Sequence, residues 1–389
     1  MGDNLQGPVF LGGIIIKVLF ESQPLLGRRT GIGRYVERLT ASLQENQDID
    51  LFYWFNQQFN VKLLQMLDVP STKIRNSRYF YKVIRRLMKP NFLHDLPVDL
   101  GESFDIFHGG NFITYQTRKA KNVLTIHDLA FLQFPEVASE QTYRHHSLWL
   151  PYSIKKADHI IAVSQHTKED IIRYYDVPDE KISVIYLAAD DQIKKEDRPL
   201  KEEVQAKYNL PEKYALYVGT IEPRKNIPFM LEGYALAKQK YKFPHKLVIA
   251  GAKGWKYEKV YKTFEKYRLH NDVIFTGYVE DMDLPVLYEN ADVFLFPSRY
   301  EGFGIPVLEA MQCGVAVIAS NVSSLPEIVG EAGRLVSLEK PEEFIDSIGE
   351  LLTNEAKRRE YEEAGRRQAR MFSWKKAASE TVTVYRSLL

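Results

Sequence analysis

The chain has 389 residues, more than one hydrophobic core usually supports, so two domains are expected. Hydrophobic residues make up 45% and charged residues 26%, ordinary globular usage that excludes long disorder and fibrous classes. Lys and Arg number 52 against 51 Asp and Glu, so a net charge of +1 advertises no nucleic-acid partner, and the single cysteine, Cys313, excludes an intramolecular disulfide and fits a reducing compartment.

The first apolar run, Val9 to Phe20, is interrupted by Gly12, Gly13 and Lys17 and lacks a small-residue cleavage site. It reads as a strand, not a signal peptide or a membrane span, and no other run approaches the ~20 apolar residues that a spanning helix needs. Within it, Ile14 to Phe20 is β-branched and almost wholly apolar, the pattern of a strand buried on both faces of a parallel sheet. A loop to Arg29 follows, then Thr30-Gly31-Ile32-Gly33 opens a helix in which Ile32, Tyr35, Val36 and Leu39 recur at helical spacing. Gly31 and Gly33 fit two readings, a backbone approach for ligand and a tight turn.

From Asn60 to Pro90 eight Lys and Arg residues face only Asp68 and alternate with Tyr79, Phe80, Tyr81, Ile84 and Leu87. Two readings fit equally: a basic aromatic helix resting on anionic lipid and presenting a lipid-linked acceptor, or a solvated face over a core stripe.

Further strands are expected at Leu51–Phe55, Ile106–Phe107, Val123–Ile126, Ile160–Val163 and Ile182–Ile185, with helices between most of them. That alternation predicts a doubly wound α/β first half. The polar segment Asp190 to Pro211 is placed as the linker, which puts the domain boundary between residues 193 and 194. A second series follows at 214–219, 246–251, 273–277, 293–297 and 315–319, three of its strands running directly into Gly219, Gly251 and Gly277. Glycine where a parallel strand leaves the sheet admits a ligand to the backbone at the carboxyl edge. Amphipathic helices are expected from Pro341 to Arg370, and another from Trp374 to the end.

Three clusters carry chemistry. In Phe296 to Met311 a strand ends, Gly302-Phe303-Gly304 forms a loop, and Pro306 sits in the first turn of a helix, where the missing N–H is tolerated. Free N–H groups near Gly304 and Ile305, with the positive end of the helix dipole, make an anion site suited to a diphosphate. Glu301 and Glu309 flank that site, and a carboxylate that accepts two hydrogen bonds suits vicinal hydroxyls, Glu301 those of a transferred hexose and Glu309 those of a ribose. The second cluster, Gly219 to Asn226, ends a strand with Arg224 and Lys225, cations able to stabilise charge on a departing diphosphate. In the third, His127 and Asp128 end a strand of the first half. Cys313, in Glu309 to Cys313, reads as a small buried filler.

Taken together these motifs resemble glycosyltransferase family 4, the retaining group 1 enzymes of GT-B fold, over nearly the whole chain. The match rests on Glu301 and Glu309 about the Gly-Phe-Gly loop, the glycine loop before the first helix, His127-Asp128 with Phe134-Pro135-Glu136, Ser164, Glu222-Pro223-Arg224-Lys225-Asn226, Gly277-Tyr278-Val279 and Trp374. The resemblance implies two Rossmann-like parallel-sheet domains facing across a cleft: residues 1–193, completed by the helix at 372–389, on the acceptor side, and 194–371 binding the donor. It implies that Glu301 with Gly302, Phe303, Gly304, Ile305 and Leu308 holds the donor sugar and its phosphates, and that Glu309 holds the ribose. Arg224 and Lys225 would neutralise the diphosphate, residues 277–279 would lie along the base, and His127 would contact the sugar near its anomeric carbon. Retention would follow from front-face departure, with no cofactor and no metal. The expected protein is a cytoplasmic hexosyltransferase, peripheral at the inner membrane face on the lipid reading of residues 60–90, moving glucose or mannose from a UDP- or GDP-sugar to a saccharide or lipid-linked saccharide.

Three other readings compete with this one. Asp281-Met282-Asp283 matches the Asp-x-Asp with which metal-dependent GT-A transferases hold a divalent ion, but it precedes Leu284-Pro285, where carboxylates cap a helix. A dinucleotide dehydrogenase would want a third glycine where Val36 stands and an acid where the second strand runs into Asn56. A sugar-nucleotide binder without transfer activity is the third.

Overall fold

The computed structural model describes residues 15–26, 31–55, 69–76, 102–115, 117, 119–136, 139–190 and 198–389. Most of the basic aromatic stretch at 60–90 therefore lies outside the described residues, as do Thr30 and 191–197 of the expected linker.

The first series runs β1 (Ile16–Glu21), α1 (Gly31–Gln44), β2 (Ile49–Phe55), β3 (Ile74–Asn76), β4 (Ile106–Gly109), β5 (Lys121–Ile126), α2 (Ala130–Gln133), α3 (Glu140–Lys156), β6 (His159–Ala162), α4 (Gln165–Tyr175) and β7 (Ile182–Val184). The second runs α5 (Lys201–Tyr208), β8 (Tyr214–Val218), α6 (Ile227–Tyr241), β9 (Lys246–Ala250), α7 (Glu258–Lys266), β10 (Val273–Gly277), α8 (Leu284–Glu289) and β11 (Val293–Phe296). It continues with α9 (Ile305–Cys313), β12 (Ala316–Ser320), α10 (Leu325–Val329), β13 (Arg334–Val336), α11 (Pro341–Thr353), α12 (Glu355–Ala369) and α13 (Trp374–Ser387).

These strands form two sheets, ordered β3-β2-β1-β4-β5-β6-β7 and β10-β9-β8-β11-β12-β13. The described pairings between strands are parallel: Ile16 lies opposite Ile49 in the first sheet, and Tyr214 opposite Lys246 in the second. Central strands are buried along their length, as in β11 and β12, which is why they read as continuous apolar runs. In both sheets the strand order reverses beside the first strand of the series, between β1 and β4 and between β8 and β11. Right-handed crossovers then send the helices on either side of that reversal to opposite faces, leaving a crevice at the carboxyl ends of the two strands.

By proximity the chain divides into two compact units, residues 1–124 with 152–159 and 381–389, and residues 125–151 with 160–380. In the first, Tyr385 of α13 is fully buried and its hydroxyl lies 2.6 Å from Nδ1 of His108 on β4, so the end of the chain packs into that core.

Sequence periodicity missed β3 and β13, each three residues long and neither wholly buried. Part of the expected linker is the helix α5, whose Lys207 and Tyr208 engage residues beyond β10. Among the described residues no helix is long and apolar enough to cross a membrane.

The three strand-ending glycines of the second sheet stand side by side. Gly219 N–H donates to Ala250 O at 2.9 Å and Gly251 N–H to Gly277 O at 2.8 Å. Gly251 has φ +156°, and a Cβ there would lie 2.0 Å from Gly219 O. Gly251→Ala is therefore expected to destabilise the protein by about 3 kcal/mol, from backbone strain together with overpacking. Gly31→Ala, whose Cβ would meet nothing within 4 Å, is expected to be near neutral. Urea unfolding of the two variants checks this, and equal midpoints would contradict it.

Candidate functional site

The second sheet's reversal brings two loops together: the one leaving β8, with Glu222, Arg224 and Lys225, and the one leaving β11, with Tyr300 to Gly304. Arg299 N–H donates to Arg224 O at 2.8 Å, and Arg224 NH1 donates to Tyr300 O at 2.8 Å, so backbone as well as side chains fix the pairing. Between them lies Glu301. Its Oε1 accepts from Lys225 Nζ at 2.6 Å and its Oε2 from Arg224 NH1 at 2.8 Å, while Arg224 NH2 reaches Glu222 Oε1 at 2.8 Å. Lys225 Nζ also stands 4.9 Å from the Phe296 ring centroid.

This is a buried four-charge cluster, with Glu301 only 6% and Lys225 only 7% exposed. Burial pushes the Glu301 carboxyl up, but Arg224 and Lys225 outweigh it and hold it well below its ordinary 4.5, at about 2. Burial also opposes the charge on Arg224, and Glu301, Glu222 and Asp128 outweigh it, leaving the guanidinium more firmly protonated than usual. Burial pulls the Lys225 ammonium below lysine's ordinary value while Glu301 pulls it back. Lys225 carries three donors and only one acceptor is found for it among the described residues, so the cluster keeps donor capacity for an incoming anion.

The loop backbone is held from its other side. Glu301 N–H donates to Ser323 Oγ at 2.8 Å, and the one hydroxyl proton of Ser324 lies between Phe303 O at 2.6 Å and Glu301 O at 3.0 Å. Gly304, at φ +117°, turns the chain into α9 with Pro in the first turn and no side-chain cap. The N–H groups of Gly304 and Ile305 have no acceptor among the described residues, so this nine-residue helix presents its positive end beside Glu301. Leu308 is fully buried beneath it. Glu309, one turn into α9, is 8% exposed and accepts from the Tyr288 hydroxyl at 2.9 Å, which fixes its carboxylate. Neither glutamate is a solvated surface charge.

His127, 8% exposed, belongs to the same unit, and its backbone carbonyl abuts Gly302, where a Cβ would lie 1.9 Å from His127 O. The structure thus gathers Arg224, Lys225, Glu301, Gly302, Phe303, Gly304 and His127 into one neighbourhood, and places Gly219 and Gly277 along the same sheet edge. Gly277 has φ +73° with open space at its Cβ position, and Val279 is buried. Gly31 and Gly33 open α1 in the other unit, the first exposed and the second buried.

Sequence reasoning missed Ser323, Ser324, Tyr288 and the tyrosine at 300 as partners of the site. The hydroxyls of a Ser-Ser pair after a strand were the available signal. The expected cap at Asp283 is corrected: its side chain makes no cap bond, because the carboxylate accepts instead from Lys207 Nζ at 2.8 Å and the Tyr208 hydroxyl at 2.6 Å. Cys313 is half-buried where full burial was expected, and its surroundings push the thiol up to about 12, which leaves it a poor nucleophile.

The Glu301 cluster has a pH signature. Because the folded carboxyl titrates below its unfolded value, its stabilisation is fully present above about pH 4.5 and is lost as pH falls towards about 2. Glu301→Gln should cost about 3 kcal/mol at pH 7 by leaving the buried Lys225 and the half-buried Arg224 under-neutralised. Denaturation at pH 7, 4 and 3 should show the gap to wild type constant above pH 5 and narrowing below; a pH-independent gap contradicts the assignment.

Residues 200–368 match the model for "Glycosyl transferases group 1", and residues 29–192 match "Glycosyltransferase Family 4". The chain is 32% identical over 388 residues to O-antigen chain mannosyltransferase B of Escherichia coli, covering 96% of this chain and 100% of that one. It is 31% identical over 274 residues to the serotype-specific mannosyltransferase WbdA of Escherichia coli, covering 69% of this chain and 34% of WbdA. Sucrose-phosphate synthase from Thermosynechococcus elongatus shares the fold at TM-score 0.72 and 22% identity, covering 96% of this chain and 99% of that one.

Proposed function

The chain belongs to the group 1 glycosyltransferases of family 4, with the GT-B fold, and from that premise we propose that it transfers mannose from a nucleoside diphosphate sugar to a saccharide acceptor, free or lipid-linked, in the assembly of a bacterial surface polysaccharide. The mannosyl and polysaccharide parts of this reading are supported by the names of the full-length relative and of WbdA. The observation that carries the chemistry is the junction of Arg224, Lys225 and Glu301 beside the uncapped start of α9.

In this reading the diphosphate lies against the unspent donors of Lys225 and Arg224 and the N–H groups of Gly304 and Ile305. Glu301 faces the hexose hydroxyls, Glu309 the ribose, and residues 277–279 the base. His127 lies near the anomeric carbon. The acceptor oxygen bonds to the anomeric carbon as the carbon–phosphate-oxygen bond breaks, the bonding electrons leave with the diphosphate, and the acceptor proton passes to a phosphate oxygen on the same face. The configuration is retained and neither a metal nor a cofactor takes part, because two cations and a helix dipole stabilise the departing charge. This reading puts the reaction in the cytoplasm and gives residues 60–90, with their eight basic residues, as the contact for a lipid-borne acceptor.

Lys225→Ala should lower turnover about 10²–10³-fold, the scale on which one preorganised charge-stabilising group acts in a transition state. Transfer from GDP-mannose and UDP-glucose to a mannan oligosaccharide, assayed with and without EDTA, checks the whole reading. Turnover untouched by EDTA and collapsed by Lys225→Ala is the expected pair of results; abolition by EDTA, or no transfer from any nucleotide sugar, overturns it.

A further inference from the structure

Two loops that the proposed function assigns to the donor sugar are joined by a group of buried side chains outside the assigned set. Tyr300, directly before Glu301, is 1% exposed. Its hydroxyl donates to Asp170 Oδ2 at 2.7 Å and accepts from the backbone N–H of Leu129 at 3.3 Å, two residues beyond His127. Asp170, on α4, has no exposed surface, and its other neighbours are His166 Nε2 at 3.4 Å and Arg173 NH1 at 3.5 Å. A buried carboxylate without a firm donor is expensive, so the tyrosine hydroxyl and the aspartate hold one another in place.

A second bridge runs beside the first. The Thr167 hydroxyl, also fully buried, lies 3.4 Å from His127 O and 3.3 Å from Gly302 O, and accepts from Ser164 Oγ at 2.9 Å. With the absent Cβ of Gly302 letting the two backbones touch, the segment 127–129 and the segment 300–302 are tied to each other and both to α4.

We propose that Tyr300, Asp170 and Thr167 are positioning residues that set the spacing between His127 and Glu301, and with it the orientation of the transferred sugar over the diphosphate. This rests on the reading that His127 and Glu301 face that sugar. None of the three touches the reacting atoms; they act through the two loops. Catalysis is sensitive to such placement, an error near 1 Å being worth about 10²-fold.

The test compares Tyr300→Phe, which deletes one oxygen and keeps the ring, with Asp170→Asn, whose amide oxygen still accepts from the tyrosine. In the full-length protein, Tyr300→Phe should lower kcat about 10- to 100-fold while the affinity for the free nucleoside diphosphate, titrated by calorimetry, stays within about twofold. Asp170→Asn should keep most of the turnover. An unchanged kcat in Tyr300→Phe, or a parallel loss of kcat and diphosphate affinity, overturns the proposal. Should Tyr300→Phe fail to fold, Thr167→Val is measured in its place against the same kcat and affinity criteria. Absence of transfer in the wild type is a separate result and bears on the proposed function alone.

Discussion

Everything at this site depends on the reversal of strand order between β8 and β11. Where neighbouring parallel strands send their connections to opposite faces, their carboxyl ends stay uncovered, and the loops leaving them meet over an open crevice. Here those loops bring two cations from one side and a carboxylate from the other into contacts of 2.6 and 2.8 Å. No local sequence feature makes that junction. It follows from β8 and β11 lying side by side in register, Val293 opposite Ala215.

The junction is electrostatically demanding. Glu222, Arg224, Lys225 and Glu301 form two opposed charge pairs in a place with little water, where each ion is tolerable only because its partners are fixed. The surrounding hydroxyls do the fixing: Ser323 and Ser324 hold the backbone of Glu301, Tyr300 just before it is anchored to Asp170, and Tyr288 holds Glu309. A preorganised cluster of this kind can meet charge developing on a leaving group without rearranging, which is the property a transferase that departs from a diphosphate needs.

Much of this was legible in the chain. Strands such as Val293–Phe296 are continuous apolar runs because helices cover both faces, and the glycines at 219, 251 and 277 mark where backbone approaches backbone. The two glutamates and the Arg-Lys pair stood out because their residue types and spacing have a chemical meaning. What could not be read was partnership over distance. Tyr300 and Asp170 are 130 positions apart, and Asp283 finds Lys207 and Tyr208 at separations of 76 and 75. That distant pair defeated the cap expected at Asp283, since an ammonium and a phenol outcompete a backbone N–H for one carboxylate. β13 escaped notice because three residues, two of them half-buried and beginning with Arg334, carry no periodic signal.

The central claim is that Arg224 and Lys225, while holding Glu301, receive the diphosphate of a nucleotide sugar. Calorimetric titration of the nucleoside diphosphate and of the bare nucleoside into the wild type and Arg224→Ala tests it most directly. A charge-assisted hydrogen bond of about 1.5–3 kcal/mol corresponds to a loss of about 10- to 100-fold in affinity. The account predicts that loss for the diphosphate and none for the nucleoside. Equal affinities of wild type and variant for the diphosphate would contradict it.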